Sequence, residues 1–495
     1  MTRGSHQETH SLADQVRYLV GLSKNTISVV GVLITTVSAL LMMVLFAMEF
    51  LDYISNPYVG ILTYLLLPLL FLSGLVLIPI GIVRVRKWRE RLEAEGKEVP
   101  DVFYPCWDFN DIRIRRTALF FVLASVANVV ILSTATYQGV HYMETVQFCG
   151  TVCHTVMQPE FTTYQGSPHS RVSCTGCHIG PGASWFVKSK LSGARQVFAV
   201  TFNTYQRPIP TPVHNLRPAR ETCEQCHWPQ KFHDAKVRVI RRFSEDEANT
   251  QLTTTLLIKT GGSQPKSGNG SGIHWWHMDP VNRVTYIADE RREKVFWVEH
   301  RDSQGVTTQY RLAEGAPSDE ELAKYEKRLM DCVDCHNRPT HIYRLPEESV
   351  DEALAAGQID AGLPFIKREG VVLLKVAYSS HKEAYQKIDA GLKAFYEKNY
   401  PEVYANHLPK IEAAAKTLGD IFARNVFPEM KVTWGTYPNN IGHQNFPGCF
   451  RCHDESHQSV DGKTISQDCS SCHDLLTMEE ESPPLIPSLL TQNQP

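Results

Sequence analysis

The stretch Phe148–His178, FCGTVCHTVMQPEFTTYQGSPHSRVSCTGCH, contains two versions of one pattern. It ends in Cys174-Thr175-Gly176-Cys177-His178, a C-x-x-C-H motif, whereas its start, Cys149-x3-Cys153-His154, has one residue too many between the cysteines. The regular form recurs at Cys223-Cys226-His227, Cys332-Cys335-His336, Cys449-Cys452-His453 and Cys469-Cys472-His473. Ten of the thirteen cysteines thus form five identical pairs, each followed by histidine. Two thiols at this spacing add to the two vinyl groups of one porphyrin, and the adjoining histidine then lies under the iron as an axial ligand. Five copies in one chain read as a multihaem cytochrome c. The portion Cys449–Cys472 by itself also fits a four-cysteine zinc ribbon. Against that, each pair carries its own histidine and the other three pairs have no zinc-like mate nearby. Thioredoxin-like chemistry needs one such pair in a βαβ setting, which this chain lacks.

Outward from the motifs, hydropathy places the chain. Ile27–Met48, Val59–Val83 and Thr117–Tyr137 are apolar runs without charge, each long enough to cross a hydrocarbon core of about 30 Å. Pro68 and Pro79 read as tolerated kinks in the second. The first run starts late and lacks a small-residue cleavage site, so it reads as a retained anchor. Upstream, Leu12, Val16 and Leu19 recur at helical spacing, as for a helix over 11–24 lying on the membrane surface. Nine Lys or Arg fall in 84–116 and none in 51–58. The positive-inside rule then puts the N-terminus and 84–116, with the unpaired Cys106, in the cytoplasm of a bacterial inner membrane. Everything after about residue 140 lies in the periplasm, the compartment in which c-type haem is attached. The net charge of −3 gives no reason to expect nucleic acid.

The expected order is a cytoplasmic segment 1–26, a three-helix anchor 27–140, a haem domain 141–235 with three sites, and a β-rich insertion 236–330. A second haem domain 331–475 follows, with three sites and a helical middle, and then a loose tail 476–495. About 355 residues then serve five or six haems, roughly 60 each, so porphyrins supply much of the core and regular structure is sparse. The fold class is a membrane-anchored multihaem cytochrome c: three transmembrane α-helices plus a mainly α, haem-packed periplasmic domain with a small β-rich insertion.

Electron-transfer haems need a second axial ligand, usually histidine or methionine. Outside the motifs and the cytoplasmic segment, the candidates are His141, His169, His214, His233, His274, His277, His300, His341, His381, His407, His443 and His457. His169 (GSPHSRVSCTGCH), His341 (CHNRPTHIY) and His443 (NNIGHQNFPGCFRCH) sit beside motifs, with turn residues that fold them back. His274 (SGIHWWHMD) is flanked by tryptophans suited to a porphyrin face. These four rank first, followed by His214 and His381.

With the motifs placed, residues 148–228 resemble the NapC/NirT family of membrane-anchored multihaem quinol dehydrogenases. The likeness rests on a transmembrane helix running into a haem motif, then TYQGSPH, CTGCH, a Lys-containing stretch and another C-x-x-C-H. The whole chain is similar in style to the inner-membrane quinol-oxidising cytochromes of metal-respiring bacteria. The family's first motif is CxxCHxM, so the resemblance implies that Cys149 and Cys153 hold a sixth haem, with His154 or Met157 on its iron. A Cys149–Cys153 disulfide is the alternative, and it would leave His154 and Met157 unexplained. The extra residue is expected to bulge outward. Family members place a quinol-site lysine about a dozen residues beyond the second motif, where Lys188 and Lys190 stand, the latter aligning better. They also have an acidic proton acceptor beyond it, yet 185–220 contains no Asp or Glu. His141, Glu144 or Glu160 must take that role.

The function implied is oxidation of menaquinol or, less in keeping with the family, ubiquinol. Electrons would pass through six haems to a periplasmic cytochrome or reductase. The rival from another class is an electron-transfer subunit of a larger respiratory complex or oligomer whose partner owns the quinol site. A third reading is a periplasmic terminal reductase with an open haem in a cationic pocket.

Overall fold

The structure is a computed structural model describing residues 18–50, 62–100, 110–152, 154–213, 216–228, 232, 234–262 and 270–483. Cys106, the first part of the expected surface helix 11–24 and residues 484–495 lie outside the described residues. The chain divides into two compact units, 1–152 and 153–495.

In the first unit, α1 (Thr26–Phe50), α2 (Leu67–Ala94) and α3 (Ile112–Met143) are each long and apolar enough to cross a membrane. Pro68 stands in the first turn of α2, directly after the π-helical turn Leu62–Leu66, a place where helices kink. Pro79 is inside the helix. Of the polar segment 84–116, α2 carries Arg84–Arg91, and α3 begins where the Asp111 side chain accepts from Arg113 N (2.8 Å). α1 and α2 approach closely, since a Cβ on Gly31 would lie 2.7 Å from Gly74 O. Ser28 Oγ donates to Ile78 O across the pair (2.8 Å). Small residues and interhelical hydrogen bonds hold helices together where lipid removes the hydrophobic drive. Ile131 and Ala135 of α3 pack with Met42, Leu45 and Leu67, while Phe120 and Val129 are exposed.

The second unit opens with α4 (His154–Gln165) and α5 (Ala183–Thr201). A three-stranded antiparallel sheet has the order β1 (Lys236–Phe243), β2 (Gln251–Ile258), β8 (His473–Glu480). The five-stranded sheet runs β6 (Lys327–Leu329), β3 (Arg283–Ala288), β4 (Val295–Arg301), β5 (Thr307–Leu312), β7 (His457–Gln458). Val284, Tyr286 and Ala288 alternate inward on β3 against Val295 and Val298 of β4, the period-two pattern of a half-buried strand. A β-rich part is present, but it is not confined to 236–330. Two strands from the far end of the chain complete it, with Thr255 opposite Thr477 and the Thr255 N–H donating to Thr477 Oγ1 (3.0 Å). Residues 476–480 therefore belong to β8 and not to the tail expected from 476 onward.

The helical middle comprises α7 (Pro346–Ala355), α8 (Ile366–Leu374), α9 (His381–Asn399) and α10 (Pro401–Asn425), with α6 (Gly272–Met278) between the β2 and β3 strands. Ile388, Leu392 and Tyr396 of α9 recur every fourth residue and pack with Ile411, Leu418 and Phe422 of α10. α10 bends at His407, two residues before Pro409, whose ring removes one hydrogen bond and crowds the preceding turn. These side chains close their own core, and the attachment motifs lie in short turns elsewhere.

Candidate haem centres

Regular motifs fold as single helical turns. The His227 N–H donates to Cys223 O (2.8 Å), His336 N–H to Cys332 O (2.8 Å) and His453 N–H to Cys449 O (3.1 Å). Positions i, i+3 and i+4 share one face of such a turn, so both sulfurs and the imidazole stand together. Side chains cap the turns: Ser173 accepts from Gly176 N (3.1 Å), Asp331 from Cys332 N (2.6 Å) and Asp468 from Ser470 N (2.9 Å). The irregular motif begins in a π-helical turn, Phe148–Val152, with hydrogen bonds spanning five residues rather than four. Positions i, i+4 and i+5 share one face of a turn widened by one residue. Cys153 and the side chain of His154 lie outside the described residues.

Five motif histidines face a second histidine. Ring centres are 6.0 Å apart for His227 and His169, 6.3 Å for His178 and His341, and 6.4 Å for His336 and His274. They are 5.8 Å apart for His453 and His277, and 6.3 Å for His473 and His443. Two imidazoles on one metal, each bonded at about 2.0 Å with the ring centre about 1.2 Å further on, stand about 6.3 Å apart. Histidines in three of the five pairs turn Nδ1 to a backbone carbonyl. His169 meets Pro339 O (3.1 Å), His341 meets Glu160 O (2.9 Å), His277 meets Ile273 O (2.8 Å) and His453 meets Ser466 O (2.8 Å). A proton held on Nδ1 leaves the Nε2 lone pair for a metal. Burial holds His178, His274, His277 and His336 below the usual histidine value, His277 down to about 4, which favours the neutral ring that ligation requires. Ring spacing and tautomer both fit covalent haem.

All four first-ranked histidines stand in such pairs. His277, not singled out from the sequence, is the fifth; it and His274 are three apart on α6 yet face different motifs. The start of α6 is tied to β2 by Ile273 N to Lys259 O and His274 N to Thr260 O, both 2.9 Å. His381 has other work. Its Nε2 contacts Val426 O (2.7 Å) and its ring packs edge-on against Phe422 and Phe427, so the nitrogen a metal would use is taken. His457 is engaged at both nitrogens, by Asp454 Oδ1 (3.0 Å) and Val295 O (3.2 Å). His214 lies outside the described residues.

Neighbouring motifs pack in chain order. Cys177 lies within electrostatic reach of Cys223, Cys223 of Cys332, and Cys449 of both Cys335 and Cys472. Arg451, inside the motif ending at His453, donates to Asp334 O (2.5 Å) and Arg292 O (2.7 Å). Asp334, inside the motif ending at His336, is buried and accepts from Tyr286 Oη (2.6 Å) and Arg328 Nε (3.1 Å). A cavity of about 400 Å³ lies against this array, lined by Cys226, His227, Trp228, Phe232, Lys236, Thr260 and His274.

Of the quinol-site candidates, Lys188 and Lys190 are on α5, with their ammonium groups 4.4 Å from the Trp185 ring and 4.7 Å from the Phe186 ring. Val187, Leu191 and Phe198 form one exposed apolar face of that helix, and Leu191 is 70% exposed. His141 is in the last turn of α3, and Glu144 caps that helix. The Glu160 carboxylate is partly buried, with Oε2 3.4 Å from His341 Nδ1.

An anchor of three membrane-crossing helices followed by five C-x-x-C-H turns and a wider sixth motif defines a membrane-anchored multihaem c-type cytochrome. The chain belongs to the NapC/NirT cytochrome c family, and its residues 112–210 match that family's N-terminal region. It is similar to cytochrome c-type protein ImcH of Geobacter sulfurreducens, with 48% identity over 470 residues, 95% of this chain and 91% of the relative. No solved structure matches it. The family match starts at α3, so α1 and α2 lie outside it.

Proposed function

We propose that this chain is a quinol dehydrogenase of the bacterial inner membrane, with a cytoplasmic N-terminus and a periplasmic second unit. Menaquinol is the donor, and a periplasmic cytochrome or reductase is the acceptor. Six covalent haems c are held by the cysteine pairs 149/153, 174/177, 223/226, 332/335, 449/452 and 469/472. Bis-histidine ligation comes from His178–His341, His227–His169, His336–His274, His453–His277 and His473–His443, and His154 or Met157 serves the first site. Bound haem supplies one-electron chemistry at iron.

The observation that carries the quinol half is helix α5, whose exposed apolar face suits the interface between lipid and water. Its lysines flank that face. Lys190 orients the quinol oxygen and favours the anionic form as the proton leaves. His141, Glu144 or Glu160 receives that proton. The rival reading, an electron-transfer subunit whose partner owns the quinol site, draws on the lack of Asp and Glu in 185–220 and on the additional α1–α2 pair.

Lys190→Met tests the reading, because it keeps the stem and removes the charge. Stability should move by less than about 1 kcal/mol. Reduction by a menaquinol analogue should slow at least about tenfold, roughly 1.4 kcal/mol of barrier, while reduction by dithionite stays unchanged. An effect of Lys188→Met alone would shift the register by two residues. If the wild-type protein by itself does not oxidise quinol, the subunit reading takes over.

A further inference from the structure

Arg338 follows the motif ending at His336 by two residues and precedes His341 by three. It is 8% exposed, yet among the described residues no carbonyl or carboxylate accepts from its guanidinium. Its close neighbours are ring faces, Tyr437 at 4.3 Å and Tyr343 at 5.8 Å from the ring centres. Other half-buried arginines differ, for Arg328 meets Asp334 (3.1 Å) and Arg217 meets Glu221 (2.9 Å). A charge so largely withdrawn from water is stabilised by an anion beside it. Arginine cannot escape by losing its proton. The tyrosine faces attract the cation but accept none of its five N–H groups in the plane. Glu160 of α4 acts electrostatically on both tyrosines, but its Oε2 lies beside His341 Nδ1 (3.4 Å) and makes no ion pair with Arg338.

We propose that Arg338 binds a carboxylate of the porphyrin held at the His178–His341 site. Porphyrin propionates are the anions that the haem-binding half of the proposed function adds here, and a planar guanidinium matches a carboxylate bidentately. Tyr343 and Tyr437 brace the fork within a buried cluster that includes Phe427, Met430 and Val432 and packs with Val156 and Ile209. The quinol half of the function is not needed for this.

The test is potentiometric titration of the full chain in its haem-loaded form, with intact mass measured alongside, for wild type, Arg338→Gln and Arg338→Lys. Removing a cation beside a haem favours its ferric state. In Arg338→Gln the haem count should stay at the wild-type value. One component should shift so that its oxidised-to-reduced ratio at fixed potential rises about tenfold, equivalent to about 59 mV downward for one electron. Arg338→Lys, which keeps the charge but loses the fork, should shift less in the same direction. Unmoved titrations of Arg338→Gln at full haem content would overturn the proposal, even if the variant melts earlier, because that result means packing on Tyr437 alone. If Arg338→Gln does not fold, Arg338→Lys decides by the same criterion of shift or no shift. A wild-type mass without covalent haem would sink the haem reading itself.

Discussion

Replacing His277 with alanine should convert one haem site from low spin to high spin, whereas replacing His381 should not. The two histidines differ in which nitrogen the fold occupies. His277 spends Nδ1 on Ile273 O (2.8 Å) and faces His453 at 5.8 Å between ring centres. His381 spends Nε2 on Val426 O (2.7 Å). Loss of His277 leaves the iron at His453 without its sixth ligand, so about one sixth of the haem should show high-spin bands by visible and EPR spectroscopy. His381→Ala removes a hydrogen bond worth about 1 kcal/mol and edge-on contacts with Phe422 and Phe427 worth about 0.5–1.5 kcal/mol each. A destabilisation of about 2–4 kcal/mol follows by thermal or denaturant unfolding, with an unchanged spectrum. A high-spin signal from His381→Ala, or none from His277→Ala, would refute the argument from nitrogen occupancy and ring spacing.

Intact mass should exceed the polypeptide by about 3.7 kDa, six porphyrins at roughly 0.6 kDa each by the thiol chemistry of the motifs. Five haems, with Cys149 and Cys153 alkylatable or disulfide-linked, would remove the irregular site. For topology, a thiol reagent that cannot cross membranes should label Cys106 only after spheroplasts are lysed if the nine basic residues of 84–116 keep that segment inside, as the positive-inside rule expects. Labelling in intact spheroplasts would invert the orientation.

Much of the site is legible in the sequence because its chemistry is local. Cys174, Cys177 and His178 are neighbours in the chain, and one helical turn suffices to put them on one face. His169, His341 and His443 announce themselves by turn residues beside motifs, and each stands opposite a motif histidine. His277 does not, although HWWH is conspicuous, because nothing in seven residues of helix says that its two histidines face two different motifs. His381 misleads in the opposite sense: it begins a polar helix, and only the packing of Phe422 and Phe427 shows what its ring meets. The β-rich part is similar, since β8 reads as the start of a tail until it pairs with β2.

The sequence by itself determined the three apolar helices, the five regular attachment turns and the family likeness, since covalent spacing and hydropathy are properties of contiguous residues. Only the tertiary structure decided which distant histidine faces which motif, that a π-helical turn opens the irregular motif, and where Arg338 is left without an acceptor. Those outcomes depend on segments far apart in the chain meeting in space. Their geometry is set by packing around the attachment turns and not by any local pattern of residues.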